Sequence, residues 1–446
     1  MILSSNIAFS QTKISREEAI EDLNTLAKNI TKTHPKFHKK VESGAFRGTL
    51  INYQNTLSQY DSLSTYQFYK IIGTLPSSLN DGHTRLSHPK VRFSKVFPLR
   101  VNINTRDSVI TISNDYSKEN SIPIGSEIKS INGISYKEIV CTLMQYVSGE
   151  LSFYKIHKLN QGSEFSFYFN MLFGSREYKI KYVYDNKEFN TSVAYIRGNK
   201  LGQKTLKTKE DKNLSAKFTP WEYYKEDNNK IGIIHIRSFM DYSYIDEFNS
   251  FLDSVFTDLQ KNKVENLIID IRKNGGGNTQ LGDELLKYIS PVQFKQFEKM
   301  IARQSFKRLK KTGNLSIFNP FSYGSIKTYD YDFVELKDSL HYTGQVYLLT
   351  SHSTFSAASS FSEAFKQFKM GVIIGEETGG MNVSYGESIH FTLPNSKLKY
   401  CISSKRYWRY NATEDTIHGT IPDNEIPYYE ALTYTIQKIQ EETIID

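Results

Sequence analysis

Cysteine is scarce in this sequence: Cys141 and Cys401 are the only two among 446 residues, and they stand far apart without CxxC spacing. That pattern argues against both a disulfide scaffold and a zinc site. No apolar run approaches the ~18 residues that a membrane span needs. Neither the GxxxxGK[ST] loop nor the GxGxxG order occurs in the glycine-rich stretch, so no nucleotide-cradling motif is present there. The formal charge of +8, from 56 basic and 48 acidic residues, is modest for this length. No known nucleic-acid module is visible, and nucleic acid is not expected as a partner.

The densest basic patch, residues 303–311 (RQSFKRLKK), reads most simply as a solvated face, with contact to an anionic surface as the alternative. The first eleven residues, MILSSNIAFSQ, are mildly apolar and end in small or polar residues, like the tail of a secretory signal. They lack the basic n-region and the full apolar core of such a signal. A start site set too far downstream would produce this pattern, and so would a cytoplasmic protein with an ordinary N-terminus.

What is present fits a soluble globular protein, 39% hydrophobic and 23% charged. The length predicts two or three domains of ~100–200 residues each. Residues 15–86 carry helical patterning. Ser15 and Glu18 have capping-box spacing, and Ala19, Leu23, Leu26, Ala27 and Ile30 form an apolar stripe that should end before Pro35. Further helical stretches are expected at 46–57 and 65–75. Residues 91–200 read as β-rich with one or two helices, including strands at 97–103 and 108–113, a hairpin at Asn132-Gly133 and a helix over 136–146. After a lysine-rich connector, strands at 231–236 and 267–271 alternate with helices, implying βαβ crossovers. Residues 290–342 are aromatic without a clear period and are read as a lid or an oligomer contact. Asp270 and Arg272 are expected to form a structural ion pair.

The chain is organised around residues 350–380. A short strand, QVYLL at 345–349, leads through small residues into a helix whose apolar positions are Phe361, Ala364, Phe365 and Phe368. Ser356 therefore falls at the carboxyl end of a strand and the amino end of a helix. A hydroxyl there lies beside unpaired backbone N–H groups and the positive end of a helix dipole, which favour an oxyanion. Serine is also a favoured N-cap, and Ser353, Ser356, Ser359 and Ser360 are all open to that bland role. A second signal is LIIDIRKNGGG at 267–277, a buried-strand run ending in three glycines. Such a backbone turns tightly and can aim N–H groups at a developing negative charge. His83, in the turn SSLNDGH, is by its context a turn residue or a general base. His352, four residues before Ser356, is a second candidate base.

With DIRKNGGG at 270–277, TFSAA at 354–358, VIIGEETGG at 372–380 and IPD at 421–423, the sequence resembles the C-terminal processing and tricorn-type serine peptidases. SLNDGHTRL at 78–86 resembles the Asp-Gly-His segment of the tricorn-like branch, and residues 122–140 resemble the second half of a PDZ domain. The resemblance implies an α/β multidomain protein: a helical domain over 14–90, a PDZ-like domain over 91–200 and a ClpP/crotonase-like catalytic core over 218–440. It also implies Ser356 as nucleophile and an oxyanion hole from the N–H of Ala357 with that of Gly275 or Gly276. His83 would be the general base, oriented by Asp81, Glu414 or a water. No metal or organic cofactor is implied, the substrate would be a peptide or protein, and the compartment would be periplasmic or secreted. The oligomeric state is not indicated. The processing branch carries a lysine base after the nucleophile, near a turn matched here by VIIGEETGG, and this chain has Met381 next in line. Two rivals stand beside this reading: a binding protein on the same fold, and an esterase or amidase for small substrates.

Overall fold

The computed structural model describes residues 12–38, 40–117, 122–198, 219–227, 230–304, 324–337 and 339–445. The chain divides into two compact units. One comprises Met1–Ala216, Arg303–Ser325 and Glu387–Ser404; the other comprises Lys217–Ala302, Ile326–Gly386 and Lys405–Asp446. The first eleven residues and most of the 303–311 patch lie outside the described residues, as does 305–323 within the stretch read as a lid.

In the first unit the predicted capping box opens helix Arg16–Thr33: the Ser15 hydroxyl accepts the Glu18 N–H at 3.2 Å and the Glu18 carboxylate accepts the Ser15 N–H at 2.7 Å. The helix ends at His34, before Pro35, which cannot continue it. The second helix, Lys40–Leu57, starts earlier than its apolar pattern suggests, and the third stretch breaks at Gly73 into Thr65–Ile72 and Thr74–Ser77. An antiparallel sheet follows. Its order is Lys187–Ala194, Glu177–Tyr184, Glu127–Ile131, Ile110–Asp115, Leu99–Ile103. Asn132 (φ 51°) and Gly133 (φ 82°) turn the predicted hairpin from Glu127–Ile131 into Ile134–Ser135.

Among the described residues the β-rich segment holds more helix than the expected one or two elements: Tyr136–Met144, Ser152–Asn160 and Glu164–Phe173. The last, EFSFYFNMLF, has strand-like composition, yet Phe165, Phe167, Tyr168, Phe169 and Met171 are all buried. Burial on nearly every side overrides its intrinsic preference. A single core joins Leu23 and Phe68 of the helices with Phe97, Ile128 and Phe169 and with Phe391 and Tyr400 from the late segment.

The second unit is built on a six-stranded sheet of β1 (Trp221–Glu226), β2 (Ile231–Ile236), β3 (Asn266–Asp270), β4 (Gln345–Thr350), β5 (Val372–Gly375) and β6 (Asn424–Glu425), in that spatial order. β1 pairs antiparallel and all later pairs are parallel. Helix α1 (Ile245–Lys261) crosses over from β2 to β3, α2 (Thr279–Ile289) follows β3, and α3 (Ala357–Gln367) joins β4 to β5. The apolar runs of β2, β3 and β4 are buried on both faces, as expected for parallel strands covered by helices. β3 and β4 are neighbours, with Asp270 opposite Leu349, so the glycine loop and the serine turn leave the sheet side by side at its carboxyl edge. Open parallel sheets place their ligands at that edge.

Candidate active site

Ser356 begins α3 with φ 54° and ψ −123° and makes no capping hydrogen bond. A non-glycine residue held at positive φ costs of order 1–3 kcal/mol, and such residues cluster at functional sites. The bland reading of this serine as an N-cap is therefore not what the geometry displays. Its neighbours do carry structural roles: the buried Ser359 hydroxyl donates to the Thr354 carbonyl at 2.7 Å, and the buried Ser360 hydroxyl donates to Gln296 Oε1 at 2.8 Å. Ser356 is half-buried, as is Ser353, whereas Ser359 and Ser360 are buried.

The glycine loop lies directly against it. A Cβ added to Gly276 would stand 2.8 Å from Ser356 Cβ, 2.9 Å from the Phe355 carbonyl oxygen and 3.0 Å from the Ala357 nitrogen. Only glycine permits this approach, and at φ 108° only glycine adopts the backbone easily. The turn is tied to the loop by three bonds: the Phe355 N–H donates to the Asn274 carbonyl at 3.1 Å, Thr354 Oγ1 to the Ile271 carbonyl at 3.0 Å, and Ser351 Oγ to the Arg272 carbonyl. The Gly276 N–H is donated to Asn274 Oδ1 at 2.8 Å. None of the hydrogen bonds of the described residues uses the N–H of Gly275 or of Ala357. Of the two glycines expected to supply a donor, Gly275 is the one whose N–H is unclaimed. Asp270 and Arg272 form the expected ion pair, with contacts of 2.9 and 2.7 Å, and His235 Nδ1 lies 2.9 Å from the same carboxylate. Burial alone would raise the Asp270 carboxyl, but Arg272 and His235 outweigh it and hold it well below the usual carboxylate range.

His83 belongs to the first unit, where it is half-buried. Asp81, fully buried, accepts the His83 backbone N–H at 2.8 Å through Oδ1, and the same oxygen lies 3.9 Å from His83 Nδ1. Its other oxygen is 3.2 Å from Nε2 of the buried His34. Because the Lys36 N–H donates to His34 Nδ1 at 3.2 Å, Nε2 is the nitrogen of His34 that carries the proton, and it donates to Asp81. Burial would raise the Asp81 carboxyl, but the His34 hydrogen bond and the two imidazoles outweigh it, holding it at about 2. Glu150 Oε2 accepts the Gly82 N–H at 3.2 Å. Ligand atoms of Asp81, His83 and Glu150 fall within 4.8 Å of one another, which makes them the group among the described residues with the spacing to hold a metal ion. Both oxygens of Asp81 also face N–H donors, those of the His83 backbone and His34 Nε2.

Residues 230–426 match the family model for peptidase family S41. That segment, just under half of the chain, is similar to the family. The chain is accordingly a serine-type peptidase, acting on peptides or proteins, and the S41 segment spans Ser356, Ala357, Gly275, Gly276, His352 and Glu414 while leaving His83 outside it. Among solved structures, mature CPAF is similar at a TM-score of 0.62 and 14% identity, over 95% of this chain and 96% of that one. Mature CPAF complexed with lactacystin matches at 0.60 and 15%, over 96% and 98%. At such identities the likeness is one of fold, a mixed α/β architecture with several sheets. Among the described residues no helix is long and apolar enough to cross a membrane.

Within the S41 segment lie the second candidate base, His352, the candidate orienter Glu414 and the lysines nearest Ser356. His352 Nδ1 lies 2.9 Å from the Glu377 carbonyl, the His352 N–H donates to Glu376 at 3.3 Å, and Nε2 is 3.9 Å from the same carboxylate. Lys366 donates to the Ile421 carbonyl and pairs with Asp423 at 3.3 Å; Lys369, just past the end of α3, is exposed. Glu414 accepts from Arg406 at 2.6 Å and from the Trp408 indole at 3.2 Å, so both its oxygens are occupied. Asn274 is the residue that sequence reasoning missed. An Asn two positions before a Gly-Gly pair is the local signal that points to it, since Asn side chains accept the N–H two residues on.

Proposed function

We propose that Ser356 is the nucleophile of peptide-bond hydrolysis, with the N–H groups of Ala357 and Gly275 as the oxyanion hole and His83 as general base. The observation that carries this reading is the strained backbone of Ser356, held against Gly276 at the start of α3, beside two unclaimed N–H groups. The Ser356 hydroxyl would pass its proton to Nε2 of the base as Oγ bonds to the peptide carbonyl carbon. The carbonyl oxygen, now anionic, would accept the two N–H bonds. The C–N bond would then break, with the base returning the proton to the departing amine, and water would hydrolyse the acyl-enzyme by the same route. Asp81 is the proposed orienter of His83, because its ionised Oδ1 faces Nδ1 and would keep the proton on that nitrogen, leaving Nε2 to accept.

This reading extends to organisation: a ClpP/crotonase-like core over 218–440, a PDZ-like domain over 91–200, a helical domain over 14–90, and a periplasmic or secreted setting. The hairpin at Asn132-Gly133 and the helix that follows support the PDZ-like assignment, and the alternation of parallel strands with helices supports the core assignment. The test compares wild type and Ser356→Ala on matched peptide and ester libraries. Peptide cleavage by the wild type and none by the variant is the expected result. Cleavage of esters alone would favour the small-substrate hydrolase, and no turnover of either would favour a binding protein.

A further inference from the structure

We propose that Asn274 is a positioning residue of the oxyanion hole, deciding which amide of the glycine loop is free to meet the developing charge. The inference rests on the reading of Ser356 and Gly275 given above. Three N–H groups follow one another along the loop. That of Asn274 donates to the Ile271 carbonyl at 3.0 Å and that of Gly276 donates to Asn274 Oδ1 at 2.8 Å, which leaves Gly275 with the unclaimed one. The same residue fixes the loop against the nucleophile, since its carbonyl accepts the N–H of Phe355, the residue before Ser356. On the outer side the loop is held independently, through the Phe239 N–H donating to the Gly276 carbonyl at 3.0 Å. The Asn274 side chain is thus the group that engages the Gly276 N–H within the loop, beside the Thr354 and Ser351 hydroxyls that tie the serine turn to the Ile271 and Arg272 carbonyls.

The orientation of the carboxamide is fixed by chemistry. Were it flipped, an NH₂ would confront the Gly276 N–H and neither could accept. With the oxygen on Gly276, the Nδ2 is fully buried and has no hydrogen-bond partner among the described residues. A buried unpaired donor destabilises a fold. A residue serving only to fill this space would avoid it. Asn274, which is wholly inaccessible, is therefore explained by its acceptor oxygen and by what that oxygen holds.

The test uses the full chain and two probes of one peptide sequence. One is a peptide boronate, which bonds to the serine and mimics the tetrahedral oxyanion; the other is the matching cleavage product, which does not. Asn274→Ala is expected to lower kcat on the order of 10²-fold with KM changed little, and to weaken the boronate by a similar factor while product affinity stays. Equal weakening of boronate and product, or unaltered kcat, would overturn the role. If Asn274→Ala does not fold, Asn274→Asp keeps the shape and the acceptor but sets a negative charge beside the donors. It should show the same selective loss of boronate affinity, and an unchanged ratio would overturn the proposal. Failure of the boronate to inhibit the wild type would sink the underlying reading of Ser356 rather than Asn274 alone.

Discussion

Replacing Gly276 by alanine should damage catalysis far more than an average glycine substitution does. The new methyl carbon would stand 2.8 Å from Ser356 Cβ and within 3.0 Å of the Phe355 oxygen and the Ala357 nitrogen. Carbon atoms pack at ~3.5–4.0 Å, so the loop and the serine turn must separate by roughly 0.7–1.2 Å. The backbone, at φ 108°, adds strain of ~1–3 kcal/mol for a residue with a side chain. A misplacement of ~1 Å typically lowers rate ~10²-fold. Gly275 provides the comparison, because a Cβ there meets nothing within 4 Å and its φ is not positive. Urea unfolding should give a loss of ~1–3 kcal/mol for Gly276→Ala and under about 1 kcal/mol for Gly275→Ala. Initial rates on a peptide should fall ~10²-fold or more for Gly276→Ala. A folded Gly276→Ala protein with wild-type turnover would refute the close approach of loop and nucleophile.

Ser356→Gly should abolish hydrolysis yet raise stability by about 1 kcal/mol, because relief of strain exceeds the entropic cost of glycine, whereas Ser356→Ala should be equally dead and no more stable; thermal unfolding separates them. Asp81 ionises in the folded chain at about 2 against an ordinary 3.8, so its contribution is complete above pH ~4 and is lost as pH falls toward 2. The loss is on the order of 2 kcal/mol, and urea midpoints measured across that window should fall less steeply in Asp81→Asn. For the base, kcat/KM should rise with pH through a limb near ~6.5. His83→Ala should lose most activity, His352→Ala less, and Met381→Lys should gain none. A dead His352→Ala beside an active His83→Ala would move the base to His352.

The S41 core was legible because its signals are local. The run IGIIHI is apolar enough to be a buried parallel strand, and it spans Ile231–Ile236 as expected. The Ser15–Glu18 box and the Asn132-Gly133 turn likewise depend on neighbours in sequence. What escaped depends on contacts made far along the chain. Glu164–Phe173 is helical because its aromatic residues are buried on nearly all sides. Residues Glu387–Ser404 join the N-terminal unit although they follow the nucleophile, as Phe391 and Tyr400 enter its core. At the site, the place of Ser356 between a strand and a helix could be read from the sequence. Which of the Gly275 and Gly276 N–H groups is left unclaimed could not, because it turns on where one carboxamide oxygen points. The partnership of His34 with Asp81 joins segments that no spacing rule connects.

The most direct measurement is peptide mapping of the chain after reaction with a fluorophosphonate, which labels only an activated hydroxyl. A single label on Ser356, absent after Ser356→Ala and reduced after His83→Ala, is the predicted result. A label on Ser353 or Ser359 with Ser356 untouched, or no label on a chain that still cleaves peptides, would contradict the assignment.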